Sequence, residues 1–343
     1  MNFFRNIFLL MMMCLSLASC LITKSVCTTQ IEIMKPGIFG IPKNLTVALI
    51  NRDLFQSDTC TFTFHDGVYD GAKELRDTTI KYRLLSDSCM NFLAVHLEKE
   101  GYCRKVINYS DSLKALFKNS IYRETQSELF KRTGADICIF LDFLHFNTIC
   151  VRNSKIPLRI ETNLLWTVAI KGDSLAHEYK QIDTLFYDEA QFSSYLFYSK
   201  PPKELLYNSC QYLGRSFGTK AIPSWVQVDR LYYKSNNLDM RNAEKLALNN
   251  DWLKAVEIWN KETKNKNPRI AAKACFNMSL ACEMEAKPDA AIDWLNKSYT
   301  ILPQNNLVNL EHRRNCLRYV NILSTRKKEI ERLSKQLSQK IKD

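Results

Sequence analysis

The sequence predicts an α/β domain, a mixed sheet flanked by helices, followed by an all-α region of helical repeats. Three observations predict it. Short apolar, partly β-branched runs alternate with amphipathic stretches over residues 44–225, the pattern of strands with helices packed on them. From Asn237 onward such runs cease, and small residues recur at helix-contact spacing. The 343 residues, 46% hydrophobic and 24% charged, suffice for about two domains. That balance excludes a collagen-like, low-complexity or wholly disordered chain.

Residues 45–50 (LTVALI) are apolar and bounded by Asn44 and by Asn51-Arg52-Asp53, a buried first strand. Residues 60–65 (CTFTFH) alternate and read as an edge-type strand; residues 72–85 are ambiguous. A helix is expected over 87–101, with Phe92, Leu93, Val95, His96 and Leu97 on one face and Gly101 at its end. Residues 102–107 read as a strand. Ser110 or Asp111 caps a helix running to about Arg132. Gly134-Ala135-Asp136 then opens the strongest strand, 137–147. Residues 158–171 and 178–187 read as a hairpin, with Gly172-Asp173 in its connection. A helix start over 191–197 is interrupted by Pro201-Pro202. A clearer helix covers 203–218, and Ile222-Pro223-Ser224-Trp225 closes the region.

The helical part, 237–343, resembles tetratricopeptide repeats, so the fold class becomes an α/β domain plus a TPR-like region. Such repeats pair two antiparallel helices in roughly 34 residues. With Ala291 at the small position of a second helix, Cys275, Met278, Ser279 and Cys282 fall on the first helix. Leu295 and Ser298 fall on the second, and Pro303 closes it. Cys275 and Cys282 stand where the repeats usually carry Trp and Tyr. A preceding half-repeat has Ala255, Ala243 and Leu246 in matching places. Two repeats bury little surface alone, so residues 307–323 are expected to cap them. The basic tail from Arg326 carries Ile330, Leu333, Leu337 and Ile341 as an apolar stripe. It fits a capping helix, a helix lying on anionic lipid or one meeting a partner helix.

The N-terminus directs the chain to an envelope. One Arg precedes an apolar stretch over 7–15, too short to span a membrane, and Leu17-Ala18-Ser19-Cys20 follows. That is the bacterial lipobox pattern. The Cys20 thiol is the one side chain there able to take a diacylglyceryl thioether. Residues 1–19 are therefore expected to be a signal peptide, and 20–43 the lipidated Cys and a tether. Two or more acyl chains anchor stably where one is marginal. The net charge of +12 becomes +11 when Arg5 leaves with the signal. The residues after Cys20 carry no acid. Acids there mark surface-exported lipoproteins of Bacteroidota, so the resemblance implies an outer-membrane protein facing the periplasm.

That compartment permits disulfides, yet the cysteines form no CxxC and several sit inside apolar runs. Mostly free, buried thiols are expected. The five His form no zinc-ligand pattern, so no metal site and no cofactor are expected. His145 reads as a satisfied core residue. Asp136 and Asp142 flank the strongest strand, a carboxylate pair without a third group. Basic and aromatic residues are not interleaved as nucleic-acid binding requires, so no nucleic-acid partner is expected.

Thr133-Gly134-Ala135-Asp136 before an apolar strand is similar to the α/β domain of envelope proteins related to the curli secretion lipoprotein, and to the N-terminal domain of TolB. The full layout (lipid Cys, apolar first strand, Pro223-Ser224-Trp225, helical repeats) resembles an uncharacterised lipoprotein family of Bacteroidota. That resemblance implies no catalytic residues. Two functions stay open. One is a non-enzymatic adaptor anchored by its lipid, whose repeat groove holds an unknown protein or peptide through Arg241, Lys245, Lys273 and Asn277 on the first helices. The positive charge suits an acidic segment or a terminal carboxylate. The other is an envelope enzyme acting on peptidoglycan or glycan through carboxylates from separate loops.

Overall fold

The computed structural model describes residues 26–53, 60–65, 72–77, 81–109, 126–151, 158–187, 203–302 and 307–338. Cys20 and the expected signal segment, the expected helix starts at Ser110 or Asp111 and over 191–197, and Pro303 lie outside them. The described chain forms two compact units: residues 34–225 with 331–338, and residues 26–33 with 226–330.

The first unit is a mixed α/β sheet. Strand β2 (Thr46–Asn51) is buried at all six positions because it is hydrogen-bonded in parallel to β5 (Lys105–Asn108) on one side and β6 (Ile137–Val151) on the other. Such strands read as continuous apolar runs. After a register shift between Leu141 and Phe143, β6 continues and runs parallel to β3 (Cys60–His65). Strand β4 (Ala72–Asp77) pairs antiparallel with β3. Residues 60–65 are therefore an interior strand, and the edge beside them is β4, part of the segment that sequence left ambiguous. The β7 (Leu158–Ile170) and β8 (His177–Tyr187) hairpin lies antiparallel along β6.

Both faces of β2 are covered. Val47 and Leu49 pack with helices α1 (Tyr82–Lys99) and α3 (Lys203–Ala221). Ala48 and Ile50 pack with Leu129 and Phe130 of α2 (Gln126–Thr133). Helix α1 begins five residues before the expected Asp87, because Tyr82 and Leu85 already belong to the buried face. Helices α1 and α3 approach backbone to backbone at Gly214, where a Cβ would stand 2.4 Å from the Cys89 carbonyl oxygen. Trp166 stacks on Phe217 at 4.1 Å, and its indole N–H donates to Gln181 Oε1. Gln336 is buried and fastens the 37–41 loop: it accepts from Gly37 N–H and donates to the Ile41 carbonyl.

The second unit is mainly helical. It contains α4 (Leu238–Leu248), α5 (Trp252–Glu262), α6 (Pro268–Met284), α7 (Pro288–Ile301) and most of α8 (Leu307–Ser338). Strands β1 (Val26–Lys35) and β9 (Ser224–Tyr233) pair in a two-stranded sheet. Residues assigned to the tether thus form a strand from Val26. Ile31 and Ile33 alternate inward and join the helical core, as do Tyr232 and Tyr233. Ala243, Ala255, Ala274, Ser279, Ala291 and Ser298 are all fully buried, and small side chains there let the helices approach closely.

The α4–α5 and α6–α7 turns are built alike. Asn250 and Ala286 both take positive φ, 61° and 56°. The N–H of the next residue reaches back to a helix carbonyl in each, Asp251 to Leu246 at 2.8 Å and Lys287 to Cys282 at 2.9 Å. These are Schellman closures, 36 residues apart in every member. A buried network joins three elements of this unit. Arg230 of β9 donates twice to Glu283 of α6 at 2.7 and 2.8 Å, and Tyr319 of α8 donates to the same carboxylate at 2.6 Å.

The tail expected as a stripe packs on a different line. Leu323, Arg326 and Gln336 are buried, Ile330 and Leu333 are half-buried, and Leu337 is 46% exposed. Arg326 is paired with Glu329 at 3.3 Å.

Candidate functional site: a basic cavity in the helical unit

Asn277 determines where the site lies. Its side chain accepts from the Tyr233 N–H at 2.6 Å and donates to the Tyr233 carbonyl at 2.8 Å. Both backbone groups of the last β9 residue are thereby bound to α6. The chain then leaves the strand as Lys234-Ser235-Asn236-Asn237. Asn237 caps α4, its side chain accepting from Met240 N–H. Asn267 caps α6 in the same way from Arg269 N–H, with Pro268 at the first helical position, where its missing N–H costs nothing.

These segments enclose a cavity of about 570 Å³. Its cations are Lys234 from the loop, Arg241 from α4, and Arg269 and Lys273 one turn apart on α6; its one acid is Glu244. Asn236, Asn237 and Asn267 add polar groups. Glu244 lies 3.9 Å from Lys234 and accepts from the Cys27 thiol at 3.8 Å. Lys273 Nζ donates to the Lys234 carbonyl at 3.2 Å and stands 5.8 Å from the Tyr233 ring centre. Burial, and then the neighbouring Arg269 charge, hold the Lys273 amine below the usual lysine range. The Arg241 and Arg269 guanidiniums have no hydrogen bond or ion pair among the described residues. The two capped helix starts add the positive ends of their dipoles.

Of the four binding residues expected from sequence, the structure brings Arg241 and Lys273 together. Lys245 is exposed on α4 and is not part of the cavity lining. Asn277 is fully buried and is a correction: its amide satisfies backbone groups that would otherwise be buried without partners. Lys234 and Arg269 were missed. One lies in a loop and the other in a first helical turn, and no local spacing links them. The paired signal that does exist is an Asn immediately before each helix.

Asp136 and Asp142 do not form a dyad. They are six residues apart along an extended segment, roughly 20 Å. Asp136 accepts from Thr46 N–H and lies 3.3 Å from Arg104. Asp142 accepts from Arg52 at 2.6 Å and from the Thr167 hydroxyl. His145 is exposed, stacked between Tyr82 and Phe143, so its placement in the core is also corrected. Alternation on β6 turns it away from Leu144 and Phe146, which are buried.

A second polar cluster lies at the carboxyl end of β2. Asn51 donates to Ser86 Oγ and Asp87 Oδ1, both at 2.8 Å, and accepts from Asp53 N–H at 3.0 Å. Asp53 is buried, and its Oδ2 has no hydrogen-bond partner among the described residues. Burial, opposed by a hydrogen bond from the Leu144 backbone and reinforced by the Asp142 charge, raises its carboxyl to about 7. In the helical unit, His312 meets Ser298 at 2.9 Å and the Cys316 thiol at 3.6 Å. Burial holds His312 down near 4 and raises Cys316 to about 11. A neutral thiol in a closed core is a poor nucleophile. Cys27, Cys89, Cys103, Cys138, Cys210, Cys275, Cys282 and Cys316 are free thiols.

Residues 45–233 match the family model described as Domain of unknown function (DUF8603), and residues 241–325 match Domain of unknown function (DUF6340). No curated protein matches the chain. No helix among the described residues is long and apolar enough to cross a membrane.

Proposed function

The chain belongs to the DUF8603 family, and from that premise we propose that it is a lipid-anchored adaptor of the bacterial cell envelope. Its helical unit holds an acidic segment of a partner protein, or that partner's terminal carboxylate. The cavity carries this reading: four cations converge on it against one carboxylate. Two of them are guanidiniums without counter-charges among the described residues, and guanidinium matches carboxylate geometry in pairs of hydrogen bonds.

Two further parts of the reading have separate support. Leu17-Ala18-Ser19-Cys20 supports lipidation at Cys20, and the acid-free residues behind it support a periplasm-facing outer-membrane position. The 36-residue recurrence of the Schellman turns, with Ala255 and Ala291 both fully buried, supports a TPR-like pair with a two-residue insertion. The test is crosslinking in intact envelopes, comparing the parent with Arg241→Ala/Arg269→Ala and with Lys245→Ala. The double variant is expected to lose most partner recovery and its salt sensitivity, while Lys245→Ala keeps both. Equal recovery from parent and double variant across a salt series would remove the cavity as the docking site.

A further inference from the structure

We propose that the partner docked in the basic cavity is a protein of the same membrane, and that its acidic segment lies next to the bilayer; this rests on the reading of Cys20 as lipidated and of the cavity as a docking site. Covalent reach sets the position. Strand β1 begins at Val26, six residues after Cys20, and its first part belongs to the helical unit. Cys27, the second residue of that strand, donates its thiol to Glu244 at 3.8 Å. Glu244 lines the cavity with Lys234 and Arg241. From Cys20 to Cys27 the chain spans at most about 25 Å, whatever path it takes. Acyl chains in the hydrocarbon hold Cys20 at the level of the headgroups. The Glu244 carboxylate therefore stays within about 30 Å of the bilayer surface, a distance comparable to the hydrocarbon core itself.

The strength of the site points the same way. Arg241 and Arg269 are exposed, and Lys234 and Lys273 are half-buried. Exposed ion pairs contribute little each. A few of them hold a short acidic segment with a dissociation constant of about a millimolar. A site that weak fills only where the segment is concentrated. Anchoring both proteins in one membrane acts as a linker does, and linked modules meet at an effective concentration of about a millimolar. Free diffusion supplies no such gain.

The experiment lengthens the tether. A rigid helical spacer of about eight EAAAK repeats, about 60 Å long, is inserted between Thr23 and Lys24 of the full-length protein, and partner recovery is read by crosslinking in intact envelopes. The spacer is expected to lower recovery at least tenfold, as Arg241→Ala/Arg269→Ala does, with an unchanged melting curve and an unchanged lipid on the mature N-terminus by mass. The partner, identified by mass from its adduct, is expected in the membrane fraction of an uncrosslinked sample after a carbonate wash. Full recovery with the longer tether, still lost in Arg241→Ala/Arg269→Ala, overturns the membrane-partner assignment and leaves the docking reading standing. A partner found in the soluble fraction does the same. A loss on lengthening that Arg241→Ala/Arg269→Ala does not reproduce overturns the docking reading, and this assignment with it. A parent whose mature N-terminus carries no lipid removes the anchor from which the distance is measured and overturns the assignment alone.

Discussion

Asp53 should make the α/β unit less stable as pH rises through neutrality. The carboxyl is buried, Oδ2 lacks a partner among the described residues, and the folded group holds its proton to about 7 against an ordinary 3.8. Between those values the unfolded chain has released that proton and the folded chain has not. Stability from this group is therefore complete below about pH 4 and is lost progressively as pH rises to about 7, at about 1.4 kcal/mol per pH unit. Over pH 5 to 7 the loss is about 2 kcal/mol, because the folded group is already half ionised at the upper end. Asp53→Asn cannot ionise and should not show it. His96 in the same unit is held down by burial and slopes the opposite way, so the informative quantity is the difference between variant and parent. Hydrogen exchange of the β2 amides reports this unit alone. Their protection in Asp53→Asn relative to the parent should increase by roughly two orders of magnitude between pH 5 and 7.5, after correction for intrinsic exchange. A variant-to-parent ratio that stays constant across that range would refute the reasoning.

Other substitutions test other joints. Glu283→Ala leaves Arg230 and the Tyr319 hydroxyl without their shared acceptor and should destabilise the helical unit by about 3–5 kcal/mol in urea denaturation. Gly214→Ala places a Cβ against the Cys89 carbonyl and should lower the melting temperature of the α/β unit, a cost of about 1–3 kcal/mol. Ala286→Gly removes a side chain from positive φ and should raise the stability of the helical unit by about 1 kcal/mol. Cys20→Ala should abolish lipidation, read by the mass of the mature N-terminus and by loss of membrane retention.

Sequence alone determined much of this protein. The strands at 46–51 and 137–147, the 158–187 hairpin and the helices beyond Asn237 were legible because each carries its own periodicity. Burial on both faces makes β2 a continuous apolar run, and burial on one face makes the helices amphipathic. Cys138 was legible as a buried free thiol for the same reason, since it sits inside an apolar strand. Strands β1 and β9 were missed although Ile31 and Ile33 alternate inward. A strand of a two-stranded sheet has little hydrophobic signal of its own, and its partner lies about two hundred residues away in the chain. The edge position assigned to β3 failed because strand order depends on which strands pair, and alternation does not encode pairing. The cavity was half legible. Arg241 and Lys273 follow from helix phase and Arg269 lies one turn before Lys273 on the same helix, but Lys234 is brought to them by the Asn277 bonds to Tyr233, a contact across 44 residues. Tertiary structure alone decided that Asn277 is a fastener rather than a ligand. A buried amide must satisfy its hydrogen bonds somewhere, and the fold placed two backbone groups within its reach.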